Sequence, residues 1–213
     1  MTPVPPVVHP IEAESYRILA DRIDLTRWPP ASRAVVARVI HAAADVGYGD
    51  TLVLDETACR AGVAALAAGA PVVADVEMVA VATRRAGSVC LLDEGRVLAA
   101  ERRAAEPQLT VSAAAMRIAA RRWPEGAVVV VGNAPTALVE LLRLARAGEV
   151  APALVIGLPV GFVGAADAKE ALRASGLPSI SNRGERGGSA VAAAALNALW
   201  RLAQANTWRS TPP

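Results

Sequence analysis

The segment Pro152-Ala153-Leu154-Val155-Ile156-Gly157-Leu158-Pro159-Val160-Gly161-Phe162-Val163-Gly164-Ala165-Ala166 sets the fold class. A short apolar run bounded by Pro and Gly reads as a strand buried on both faces. Gly157 to Gly164 then forms a loop of Gly and Pro, and the small residues after it open a helix. Such a loop carries no hydrolytic side chain. It offers backbone groups and close approach, because Gly has no Cβ. The order recurs upstream: four Val at 128–131, the turn Gly132-Asn133-Ala134-Pro135-Thr136, then a helical pattern. Two strand–loop–helix edges place a site at the strand ends of an α/β sheet.

Extending this reading along the chain gives a helix over 10–25, broken at Trp28-Pro29-Pro30, and a second helix from a Ser32 cap to Ala44. A turn follows at 47–50 and an Ala-rich helix over 55–68, stopped by Gly69. Strands are predicted at 71–76, 88–92, 126–131, 153–156 and 177–181. The turn Asp93-Glu94-Gly95 bounds the second. Residues 96–122 read as helical with a break near Pro107. Further helices fall at 134–147, 166–174 and 187–205. The expectation is a three-layer α/β protein: about five parallel strands with helices on both faces. No Pro/Ser-rich linker interrupts the chain, so residues 1–213 read as a single domain. Residues 1–10 are its extended leader and 207–213 a frayed tail.

Composition excludes several classes. Of 213 residues, 54% are hydrophobic and only 3% aromatic, so small side chains fill the helix contacts. A net charge of +2 is too small to argue for nucleic acid. No stretch is long and apolar enough for a membrane helix. Cys59 and Cys90 lack metal or redox spacing, and residues 1–10 lack an apolar signal core. Both point to a reduced, cytoplasmic chain.

The candidate chemistry is sparse. His41 lies near the end of the second helix, three residues after Arg38 and on the same face. It is either a proton donor or a histidine bonding a helix-end carbonyl. Asp75 and Glu77 flank the end of the first strand, for acid/base or metal work or as helix caps. No His-Glu-x-x-His or Cys cluster supports a transition metal. The 132–136 turn should hold free backbone N–H groups for an anion, with Asn133 and Thr136 beside it. The loop Ser181 to Ser189 adds Arg183 and Arg186 as carboxylate clamps, and Gly187, Gly188 and Ser189 as backbone donors. Arginines and helix N-termini together suggest a large polyanionic ligand.

Several stretches carry a family resemblance. They are His9 to Ile18, Arg38-Val39-Ile40-His41-Ala42, Ala68 to Val79, Gly132 to Leu138, Gly157 to Ala166, and Gly187 to Ala190. In this order the chain resembles precorrin-8X methylmutase, the precorrin isomerase of corrin-ring biosynthesis, and its cobalt-precorrin counterpart. The resemblance implies a flavodoxin-like sheet, a homodimer with sites near the subunit interface, and no cofactor. It implies an isomerase that moves a methyl group from C-11 to C-12 of precorrin-8 or cobalt-precorrin-8, giving hydrogenobyrinate or cobyrinate. The family's catalytic histidine falls on His41, and its substrate-binding serine and arginine fall on Ser15 and Arg38. Arg17 lies in the same matching stretch and joins the substrate-binding set. One departure is Leu109-Thr110-Val111-Ser112, where many members carry Thr-Arg-Ser. It motivates an alternative: a non-catalytic tetrapyrrole carrier on the same fold.

Overall fold

The computed structural model describes residues 9–210. Ten α-helices and six strands alternate along them. The elements are α1 (Pro10–Arg22), α2 (Pro30–Ala43), α3 (Tyr48–Thr51), β1 (Leu52–Leu54), α4 (Glu56–Ala67), β2 (Val72–Ala74), α5 (Glu77–Ala82), β3 (Val89–Cys90), α6 (Leu92–Arg102), α7 (Val111–Arg122), β4 (Val128–Val131), α8 (Pro135–Arg146), β5 (Leu154–Gly157), α9 (Ala165–Ala174), β6 (Ser179–Asn182) and α10 (Ser189–Ser210).

The sheet order is β1-β6-β5-β4-β2-β3. Counting the parallel strands alone, this is the 2-1-3-4-5 order of flavodoxin-like doubly wound sheets. The expected five strands are present. The sixth, β1, is antiparallel and pairs Leu52 with Asn182 at the edge. It escapes a sequence pattern because it is three residues long and only half-buried. The four Val of β4 and the four residues of β5 are buried throughout, as a strand covered on both faces requires.

Two cores cover the sheet. One gathers Val35, Val36, Val39 and Ile40 of α2 with residues of α4 and α10. The other gathers α7, α8 and α9 on the opposite face. The strand order changes sense between the parallel strands β2 and β4, so the loops after these two strands lie side by side there.

Several boundaries differ from expectation. Ser32 does not cap α2, which begins at Pro30. Instead the Glu56 carboxylate, reaching from α4, accepts hydrogen bonds from the Ala31 and Ser32 N–H groups and the Ser32 hydroxyl. Burial works against this charge. The backbone N–H bonds, Arg60 and the Ser32 hydroxyl outweigh it and hold Glu56 down at about 2. The turn predicted at Asp93-Glu94-Gly95 is the start of α6. Gly95 is there for contact, since a Cβ on it would lie 2.6 Å from the Val111 carbonyl and 2.9 Å from the Ala115 Cβ. Helix α10 extends to Ser210, past the 187–205 read from the sequence. Residues 1–8 of the leader and 211–213 of the tail lie outside the described residues. His9 caps α1, its Nδ1 accepting from the Ile11 N–H at 3.2 Å.

Candidate functional site

Helix α2 buries one stripe against α10 and α4, the helices that cover this face of the sheet, and leaves Arg38 and His41 on the side that meets α1. On α1, Glu12, Ser15 and Tyr16 sit three and four residues apart and so share one face. The two faces interlock. Ser15 Oγ lies 2.8 Å from His41 Nδ1. The Tyr16 ring stacks on the imidazole, with centroids 5.0 Å apart and planes 10° from parallel. Arg38 donates to the Tyr16 hydroxyl at 2.9 Å and forms a close ion pair with Glu12. Arg201 of α10 donates to the same carboxylate at 3.3 Å. The hydrogen bond from Arg38 holds Glu12 below the usual carboxylate range, against a smaller push from burial. His41 is half-buried. Its Nε2 has no protein partner among the described residues. The imidazole is therefore fixed at one nitrogen and open at the other. It stands in the last turn of α2.

The strand ends hold a second group of loops. The 183–188 loop returns from β6, and the Arg183 N–H bonds the Thr51 carbonyl. The Arg186 guanidinium pairs with Asp45, two residues beyond the end of α2, and lies 4.6 Å from the Tyr48 ring centroid. Gly188 N–H donates to the Leu158 carbonyl at 2.8 Å and Gly161 N–H to the Glu185 carbonyl at 3.1 Å, which binds the two glycine loops together. Gly187 is required where they cross, because a Cβ would stand 2.3 Å from the Leu158 oxygen. Lys169 of α9, fully buried, props this junction from beneath. Its Nζ donates to Asn182 Oδ1 at 3.1 Å and the Arg186 carbonyl at 2.6 Å. Burial, reinforced by Arg173, pushes its ammonium down to about 8.

The turn at 132–136 is not the free anion cradle that its sequence suggests. Asp75, buried at the end of β2, already fills it. Its carboxylate accepts from the N–H groups of Gly132 at 3.0 Å, Asn133 at 2.8 Å and Ala134 at 2.7 Å. Burial pushes its carboxyl above the ordinary aspartate value, and these three bonds oppose the push.

The comparisons with known proteins agree on one family. The family model described as precorrin-8X methylmutase matches residues 10–202. The chain belongs to the precorrin-8X methylmutase family. It is 44% identical over 197 residues to the precorrin-8X methylmutase of Pseudomonas aeruginosa, covering 89% of this chain and 93% of that protein. It is 38% identical over 200 residues to the cobalt-precorrin-8 methylmutase of Priestia megaterium, covering 91% and 87%. The crystal structure of a precorrin-8X methylmutase from Thermus thermophilus superposes with a TM-score of 0.81 at 38% identity, over 92% of this chain and 96% of that one. The family is one of isomerases that migrate a methyl group.

Within this family fold the sequence-derived residues divide. Ser15, Arg38 and His41 meet in one cluster. Arg17 does not join them, because it turns outward on α1 to Glu14 and Asp21. Thr136 Oγ1 bonds the Thr110 hydroxyl at 2.8 Å, on the face of the sheet opposite α2, and Asn133 is exposed. Arg183 is exposed. Arg186 is held by Asp45, so the pair does not form the anticipated clamp. Gly188 has spent its N–H on Leu158, and Ser189 is buried. Two members of the His41 cluster, Glu12 and Tyr16, were not singled out from the sequence. Their spacing with Ser15 is the signal that could have found them.

Proposed function

We propose that the protein moves the C-11 methyl group of precorrin-8X, or of its cobalt-carrying form, to C-12, with His41 as the proton donor. The observation that supports this is the polarised setting of one imidazole: Nδ1 against Ser15, the ring against Tyr16, Nε2 unpartnered. When the Ser15 hydroxyl donates to Nδ1, the proton of the neutral ring sits on Nε2. That N–H can bond or protonate the conjugated macrocycle beside the migrating methyl. The migration is a sigmatropic shift within the ring, so it needs no nucleophile and no redox partner. The proton returns to Nε2 once the new arrangement of double bonds is set, and atoms balance as in any isomerisation. Acid assistance of this kind contributes about 10²–10⁴-fold. In this reading Ser15 and Tyr16 orient the imidazole. Arg38 supplies positive charge near the ring, and the chain works as a homodimer in the cytoplasm.

The test is His41→Asn, followed by the absorption change from the unrearranged to the rearranged ring. The variant should bind the macrocycle with near-native affinity and lose at least 10²-fold in turnover. Unchanged turnover would remove His41 from the chemistry. Binding without conversion by the native chain would favour the carrier reading.

A further inference from the structure

Lys169 is the only lysine in a chain that draws its other cationic side chains from arginine, and it is fully buried. Burying an ammonium is costly unless its donors are used. Among the described residues no carboxylate pairs with it; its partners are Asn182 Oδ1 and the Arg186 carbonyl. That carbonyl also accepts from Asn182 Nδ2 at 2.7 Å, and Arg173 donates to the Asn182 carbonyl at 2.9 Å. Two side chains therefore grip the backbone at Arg186 from below. A methionine would fill much the same volume without a buried charge. What the ammonium adds is direction, several N–H donors set on one compact point.

The other end of Arg186 reaches α2. Its guanidinium holds the Asp45 carboxylate and lies against the Tyr48 ring. Asp45 in turn closes the helix. Its N–H bonds the Ile40 carbonyl at 3.3 Å, and the Ala44 N–H bonds the His41 carbonyl at 3.4 Å, the paired bonds of a Schellman ending. This ending puts Ala44 at φ 51°, the one positive φ outside glycine among the described residues. Left-handed backbone crowds a Cβ, so such a turn persists only where its surroundings hold it. A continuous path thus runs from the Lys169 ammonium, through Arg186 and Asp45, to the turn that carries His41.

We infer that Lys169 is a positioning residue for the reaction: it fixes the 183–188 loop and, through the Arg186–Asp45 pair, sets the last turn of α2 and the imidazole of His41. The inference rests on the proposed function, since His41 is the group it places. Ser15 and Tyr16 on α1 hold the ring itself, and they meet it only while that last turn keeps its place. Without the tether the left-handed turn at Ala44 is free to relax, and His41 shifts with it. A displacement of about 1 Å at a reacting group can cost about 10²-fold in rate.

The test compares the native chain with Lys169→Met, Arg186→Gln and the two combined. One readout is independent of turnover. The chain has two histidines, so the imidazole NMR signals of His41 can be followed beside those of His9, and His41→Asn assigns them. In each single variant the His41 signals should shift and broaden as the bond to Ser15 loosens, while those of His9 stay in place. The second readout is steady-state conversion of precorrin-8X. Here kcat should fall about tenfold with KM within about twofold of native. The double variant should match the worse single one, because both substitutions cut the same tether. Additive losses overturn the inference and leave the proposed function standing. So do native His41 signals and native kcat in a folded Lys169→Met. The Arg186 side chain is 46% exposed, so Arg186→Gln should fold. If Lys169→Met does not, native His41 signals and kcat in Arg186→Gln overturn the inference instead. A native chain that binds the ring without converting it refutes the proposed function, and the His41 signals still decide the tether.

Discussion

Replacing Asp75 by Asn tests the join between β2 and β4. One carboxylate oxygen takes the Gly132 N–H and the other takes those of Asn133 and Ala134. An amide keeps one acceptor. Its best rotamer leaves that oxygen on Asn133 and Ala134 and turns the NH₂ against Gly132. One buried N–H is then stranded, which costs about 1–3 kcal/mol. The two surviving bonds lose their charge assistance, about 1 kcal/mol each. Relief of the buried charge returns part of this, because burial already lifts the carboxyl. The net loss is about 2–3 kcal/mol. In a chain of 213 residues that lowers Tm by roughly 5–10 °C. Urea unfolding of Asp75→Asn beside Asp93→Asn, a surface acid paired with Arg96, isolates the effect. The control should move by less than about 0.5 kcal/mol. Asp75→Ala empties the cradle, so inorganic phosphate should raise the Tm of that variant and leave the native Tm unchanged. An Asn variant within about 0.5 kcal/mol of native would refute the account of three N–H groups satisfied by one carboxylate.

Further outcomes follow from other contacts. Gly95→Ala places a methyl against the Val111 carbonyl and Ala115, so α6 must move off α7; urea unfolding should show a loss of about 1–3 kcal/mol. Glu56 is depressed to about 2, so its contribution is complete above its unfolded value near 4.5 and disappears as pH falls towards 2. Discounted for solvent screening, Glu56→Ala should cost about 1–2 kcal/mol at pH 7. The gap to native should close in that acid window, as read by denaturation at stepped pH. Lys169 is lowered to about 8, so the folded chain releases its proton before the unfolded chain does. Native stability relative to Lys169→Met should therefore rise by about 2 kcal/mol between pH 8 and pH 10.5, and a flat difference would contradict the buried ammonium. Ser15→Ala removes the partner of Nδ1; kcat should fall about tenfold while KM holds, as read by steady-state kinetics.

The fold was largely legible because its signals are local. Val128 to Val131 and Leu154 to Gly157 are continuous apolar runs, and each is followed by a glycine turn and a helix. That pattern specifies parallel strands covered on both faces. Order along the chain then implied the layers, and right-handed crossovers left few topologies. That Arg38 and His41 share one helix face was legible for the same reason, as a spacing of three on one helix.

What the sequence could not hold are contacts between distant segments. Asp75 and Gly132 are 57 residues apart, Ser32 and Glu56 24, and Asp45 and Arg186 141. Each decides whether a polar group is available or already satisfied. Spacing shows that the 132–136 turn has N–H groups to offer, and only the packing of β2 beside β4 shows that Asp75 has taken them. Gly95 reads as a turn until α7 is seen pressed against it. The chain order thus determined the sheet, the loops at its ends and the helix that carries His41. The tertiary structure decided which polar groups remain open to a ligand, because hydrogen-bond capacity is consumed by whichever partner packing brings within about 3 Å.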